Sequence, residues 1–147
     1  MSLEPLPPIT VENLDAVLRF LPIFQQPGYS YGEWVNLTDA HRRPYYDAGP
    51  DVTAFLQALS REGIVAPFDW MAWSSEADRL YRHPEALAVA DLDTLRRLLT
   101  SHVRADRFGE GHLADMLEEG HITAILRRLA ELRAAMESPD GVHAARA

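Results

Sequence analysis

Cysteine and lysine are both missing from the 147 residues. Without cysteine there is no disulfide framework, no thiolate nucleophile, no iron–sulfur cluster and no cysteine-type zinc site. Without lysine there is no Schiff-base catalyst and no P-loop, whose motif needs a lysine at the phosphates. All 14 basic side chains are therefore arginine. Uncharged apolar runs are short, and none approaches the ~20 residues that span a bilayer. The opening residues, Met1-Ser2-Leu3-Glu4-Pro5, lack the charged start and apolar centre of a secretory signal. The expectation is a cytoplasmic protein with no membrane segment. Positive charge is scarce as well: 22 acidic residues leave a net charge of −8 with no basic tract. That argues against general nucleic-acid binding, which begins with phosphate neutralisation.

The length is that of one domain, residues 1–147. Such a chain buries roughly 70% of its unfolded surface, enough for a core without metal or disulfide help. Pro5, Pro7 and Pro8 make residues 1–9 an extended lead-in, and residues 138–147 read as a frayed, disordered tail after Pro139. Between these ends, apolar residues recur at helical spacing. Thr10 caps a helix carrying Leu14, Val17, Leu18 and Leu21 that ends at or just beyond Pro22. Asp51 caps a second with Val52, Phe55, Leu56 and Leu59, stopped by Gly63. Ser74 or Ser75 opens a short helix to about Arg82, and Pro84–Val89 forms a further turn. Asp91 caps the longest stripe, from Leu92 and Leu95 through Leu98, Leu99, His102 and Val103. A helix from about Gly111 carries Leu113, Met116 and Leu117, and the last carries Ile122, Ile125, Leu129, Leu132 and Met136. That last stripe packs on the Leu92–Val103 helix, or on a second copy in a homodimer.

One stretch breaks the helical pattern. Tyr29, Tyr31, Val35 and Leu37 share one parity, which predicts a strand. Pro44–Asp47, with Tyr45 and Tyr46, is its partner across a polar loop at Thr38–Arg43. A lone hairpin is marginal in water, so it must lie on a helix. The expected fold class is α+β, mostly α: a helical domain with a small antiparallel β-hairpin. The aromatics Tyr29, Tyr31, Trp34, Tyr45, Tyr46, Phe68, Trp70 and Trp73 are read as core between hairpin and helices, with a stacking pocket as the alternative.

The densest polar cluster is His102, Arg104, Asp106, Arg107, Glu110 and His112. His102 and Asp106 are four apart and share a helical face, so the carboxylate is placed to orient the imidazole as a general base. Glu110 or His112 supplies an acid. Arg104 and Arg107 lie beside the start of the Gly111 helix, whose open backbone N–H groups suit an anion. Trp70 is added as a ligand-binding residue, with Asp69 beside it as its structural partner or a pocket wall. The competing reading is structural: an ion-paired corner, with His102 simply continuing the Leu95–Leu99 stripe. Imidazole and carboxylate from His102, Asp106, His112 and His121 are of metal-binding type, yet the spacing matches no HExxH motif, and no metal is assigned. No Gly-x-Ser-x-Gly is present, which disfavours a serine hydrolase.

The strings Leu18-Arg19-Phe20-Leu21-Pro22, Gly32-Glu33-Trp34-Val35 and Pro67-Phe68-Asp69-Trp70 are distinctive together. So is the run Leu98-Leu99-Thr100-Ser101-His102-Val103-Arg104-Ala105-Asp106-Arg107-Phe108-Gly109-Glu110-Gly111-His112-Leu113, followed by Gly120-His121-Ile122 and Ile125-Leu126-Arg127-Arg128-Leu129. Over roughly residues 14–130 the chain resembles an uncharacterised prokaryotic family catalogued as a domain of unknown function. The resemblance implies a self-standing bacterial or archaeal domain and supplies no activity, cofactor or site residues.

Three functions stay open at this point. The first is a binding module whose corner at 102–112 holds a small anionic ligand or a protein partner. The second is a small hydrolase or transferase acting on an anionic substrate, with His102, Asp106 and Glu110 catalytic and Arg104, Arg107, His112 and Trp70 binding. The third is a structural homodimer without a pocket.

Overall fold

A computed structural model describes residues 4–35, 45–109 and 111–137. The expected loop at Thr38–Arg43, the tail from 138 and Glu110 lie outside the described residues. The fold is α+β and mostly α, with a two-stranded antiparallel hairpin.

Thr10 opens α1 (Val11–Leu18) with a reciprocal cap: its hydroxyl accepts the Asn13 N–H, and Asn13 accepts the Thr10 N–H. The expected single helix through Leu21 is two. Proline has no N–H and its ring clashes with the carbonyl four residues back, so Pro22 cannot sit deep in a helix. It sits instead in the first turn of a new one, α2 (Leu21–Phe24), where no donor is needed. This break turns Phe20 and Phe24 inward to meet Phe55 at 5.5 and 5.3 Å between ring centroids. Tyr31 joins them and donates its hydroxyl to the Phe24 carbonyl at 3.0 Å.

The first strand begins later than the alternation suggests. Strands β1 (Gly32–Val35) and β2 (Tyr45–Ala48) pair with Trp34 opposite Tyr46. Tyr31 still accepts the Gly49 N–H at 2.8 Å, and the rings of Tyr29 and Tyr31 turn into the Phe24 cluster. Helix α3 (Pro50–Arg61) follows. Its N-cap is Gly49 rather than Asp51, because Pro50 already occupies the first turn. Asp51 lies one position further in and accepts the Tyr29 hydroxyl at 2.7 Å. Gly63, in the left-handed region at φ 72°, ends α3 as expected.

The long stripe is α6 (Leu92–Ala105), capped by Asp91, which accepts the Thr94 N–H at 2.8 Å. Residues Leu95 to His102 are all buried, so α6 is the axis of the molecule. Around it lie α4 (Ser74–Arg82), α5 (Pro84–Leu87), α7 (His112–Glu118) and α8 (His121–Glu137). Helix α8 packs against α1, α2, α5, α6 and α7. Its Ile122, Ile125 and Leu129 are fully buried within the chain, each such side chain contributing roughly 1.5–3 kcal/mol. Among the described residues no helix is long and apolar enough to cross a membrane.

Arginine forks tie these elements together. Arg96, 1% exposed, donates to the carbonyls of Gly63 at 2.9 Å and Ile64 at 3.2 Å, closing the end of α3. Arg97 reaches the Glu4 carbonyl at 2.7 Å, and Arg128 the Ala90 carbonyl at 2.9 Å. Arg133 grips both oxygens of Asp15 and joins α8 to α1. Thr100 completes the anchoring of the segment after α3: its hydroxyl donates to the Arg96 carbonyl and accepts the Ala66 N–H. That pin holds the chain leading to Trp70 against α6.

Candidate functional site

Three helical faces and one tryptophan enclose a cavity of about 450 Å³. Helix α6 offers Ser101, His102 and Ala105, spaced one and four apart, so they share a face. Helix α7 offers His112, Asp115, Met116 and Glu119 by the same geometry, and α4 offers Ala77, Asp78 and Tyr81. Trp70 closes the side left open between them, with its ring 5.9 Å from that of Phe108, which is 76% exposed. The volume falls within the 300–1,000 Å³ range of small-molecule sites.

Two histidines of this wall connect to a third behind it. His102 Nδ1 lies 3.0 Å from His112 Nε2, and His102 Nε2 lies 3.0 Å from His121 Nε2. His102 thus uses both ring nitrogens on other imidazoles. A neutral imidazole has one donor and one acceptor, so His102 must donate to one neighbour and accept from the other. The two contacts leave from opposite edges of its ring, so a single ion cannot bridge all three residues through the nitrogens that meet. Among the described residues no group of three or more histidines and carboxylates is arranged to hold a metal.

Burial dictates the charge state of this chain. Desolvation, reinforced by the neighbouring imidazoles, lowers the His102 pKa from its usual 6.5 to about 3. Burial likewise lowers His121 to about 4, against a weaker opposing pull from Glu119. The Tyr81 hydroxyl donates to Glu119, and that bond leads the upward shift of its pKa. The Tyr81 ring stands edge-on to His121 at 5.2 Å. Tyr81 and Glu119 also border a second cavity of about 350 Å³, into which His121, Leu87 and Ala124 face. The Tyr81–Glu119 pair is therefore the partition between two cavities.

The polar cluster read from the sequence divides. His102, His112 and Trp70 meet at the first cavity. Asp106 does not orient His102, whose nitrogens are both taken. It stands at the C-cap of α6, and its Oδ1 accepts the Leu113 N–H at 2.9 Å. The open N-terminus of α7 expected to receive an anion thus holds the protein's own carboxylate. Arg104 is half-buried and Arg107 exposed; neither lines the cavity. Glu110 lies outside the described residues. His121 entered the sequence reading only as a metal-type donor, and Tyr81, Asp78, Asp115 and Glu119 did not enter it. One signal for part of this set is present: His112, Asp115 and Glu119 form a polar stripe beside the apolar one of α7.

The sequence matches a family of unknown function (DUF6508) over residues 9–135, and the chain belongs to that family. The match runs from the residue before the α1 cap into α8, so it includes every wall of the cavity. No curated protein and no solved structure matches the chain.

Proposed function

Taking membership of a family of unknown function as the premise, we propose from the cavity itself that the protein is a small-ligand-binding module. Its ligand is a compact organic molecule bearing a cationic amine on an aromatic or apolar body. The observation that carries this is the composition of the wall: the exposed carboxylates of Asp115 and Glu119, with Asp78 beside them although paired with Arg82 at 2.8 Å, apolar surface from Ala77, Ala105 and Met116, and no arginine among the lining residues. An ammonium group gains from the carboxylates and from the aromatic faces of Trp70 and Tyr81. An anion meets like charge there, and Arg104 and Arg107 are not on the wall to offset it. A cytoplasmic setting in a bacterial or archaeal cell accompanies this reading, supported by a cysteine-free composition that needs no oxidising compartment.

Two probes with the same body and opposite charge test it. Phenethylamine and phenylacetate are titrated into 15N-labelled protein while the Trp70 indole and the Ser101 and Ala105 amides are followed. The amine is expected to shift these signals saturably, with Kd on the order of 1 mM for a molecule this small. Equal or tighter binding of phenylacetate, or no saturable shift with either probe, overturns the proposal.

A further inference from the structure

The histidine chain joins two spaces that the Tyr81–Glu119 partition separates. His112 and His102 line the first cavity, and His121 lines the second. Ligand binding alone does not require this arrangement, since a single imidazole on the first wall would supply the same hydrogen bonds. Nor does packing, since burying the imidazoles of His102 and His121 is costlier than burying apolar groups of similar shape.

We propose that His112, His102 and His121 form a proton relay that carries a proton from the first cavity to the second. Nδ1 of His112 and Nδ1 of His121 have no hydrogen-bond partner among the described residues. His112 lines the first cavity and His121 the second, so the two ends of the chain face different spaces. In the starting arrangement His112 and His102 carry their protons on Nε2 and His121 carries its proton on Nδ1. An O–H group in the first cavity gives a proton to His112 Nδ1. The Nε2 proton of His112 passes to His102 Nδ1, and the Nε2 proton of His102 passes to His121 Nε2. The Nδ1 proton of His121 then leaves into the second cavity. One proton has entered and one has left, each ring has gained and lost one, and all three end in the opposite tautomer. The reverse passage takes a proton up at His121 Nδ1, returns one from His112 Nδ1 to the donor oxygen and restores the starting tautomers. The chain thus shuttles a proton between the cavities.

The surroundings favour passage without a resting cation. His102 is buried and meets only imidazoles at its nitrogens, so a charge there is short-lived, and transfer through it is concerted. The exit end differs, because Glu119 lies near enough to His121 to favour its protonated form, while the Tyr81 ring stands perpendicular to it. His112 is consequently the base that meets an O–H donor. His102, the base expected from the sequence, is the conductor behind it.

The relay is testable in the unmodified protein, without a known ligand. Imidazole 15N spectra of uniformly labelled protein near neutral pH report both the tautomers and any 15N–15N coupling across the N–H···N bonds. The relay requires coupling across both contacts, His112 to His102 and His102 to His121. It also requires His102 Nδ1 and Nε2 shifts averaged between the protonated and unprotonated extremes. Substituting His121→Phe removes the far acceptor. It is expected to drive His102 to a single tautomer and to move the 15N shifts of His112, two rings away. Absence of either coupling in the wild type, or a single fixed His102 tautomer there, overturns the relay even if the variant does not fold. Loss of amine binding with the couplings intact refutes the ligand and leaves the relay standing.

Discussion

The carboxylate of Asp106, at the end of α6, accepts the Leu113 N–H in the first turn of α7 at 2.9 Å. One helix thereby supplies the cap of the next, across a corner where Gly111 takes a left-handed conformation at φ 90°. The corner sets the angle at which His112 returns to His102. Removing the carboxylate with Asp106→Ala is expected to cost about 1 kcal/mol, the usual value of an N-cap. Urea denaturation measures it. The imidazole 15N shifts of His102 are expected to stay unchanged, and a change in its tautomer would return Asp106 to the role of orienting residue.

Gly111 itself faces Trp34. A Cβ at this position would collide with the six-membered ring of the indole, and the positive φ adds strain of roughly 1–2 kcal/mol for any other residue. Gly111→Ala is expected to lose more than that strain alone, because the hairpin must move. The double variant with Trp34→Ala should lose less than the sum of the two single losses. Strict additivity would mean that Trp34 does not rest on the corner.

Arg96 is the most buried of the described arginines, and its loss is expected to be costly. Arg96→Leu leaves the carbonyls of Gly63 and Ile64 without their donor, and an unsatisfied buried acceptor costs about 1–3 kcal/mol. Arg96→Lys retains charge but offers a point donor where a planar fork spans two carbonyls, so it recovers only part of the loss. Denaturation midpoints of the two variants give the comparison. A lysine variant as stable as wild type would show that charge alone matters at this site.

Acid should destabilise the protein before its carboxylates titrate. The native state keeps His102 and His121 neutral down to about pH 3 and about pH 4, whereas an unfolded histidine takes up a proton near 6.5. The unfolded state therefore binds more protons throughout that interval, and stability falls as pH drops. Above about pH 7 the contribution is fully present. Within the interval each histidine approaches ~1.4 kcal/mol per pH unit. Unfolding free energies from about pH 7.5 to about pH 4.5 measure the slope, and His102→Gln should flatten it. A wild-type protein equally stable at both ends would contradict the burial of neutral imidazoles.

Much of this fold was legible in local pattern. The Asp91 cap, the stripe from Leu92 to Val103, the Gly63 stop and the Thr10 start depend on neighbours within a turn or two, and they stand where spacing placed them. Asp51 and Pro22 shifted because proline takes the first helical turn whenever one is offered, a preference that outranks a nearby carboxylate or an apolar stripe. The site was legible only in part. His102, His112 and Trp70 converge as candidate site residues, but the partner of His102 was sought four residues along its own helix. Its actual partners lie ten and nineteen residues away, delivered by the turn into α7 and by α8 returning across α6. Contacts of that kind follow from helix packing, which leaves no periodic trace. The carboxylates of α4 and α7 stayed out of the sequence reading for the same reason. Arg104 and Arg107, which suggested an anion site, stay off the cavity wall, while Arg96, Arg97 and Arg128 grip backbone carbonyls.

A crystal structure of the protein grown with saturating phenethylamine tests the assignment of the cavity most directly. The amine is expected between Trp70 and His112, with its nitrogen within hydrogen-bond distance of the Asp78, Asp115 or Glu119 carboxylate. An unfilled cavity at saturation, or phenylacetate seated there with its carboxylate against His112 under the same conditions, would contradict it.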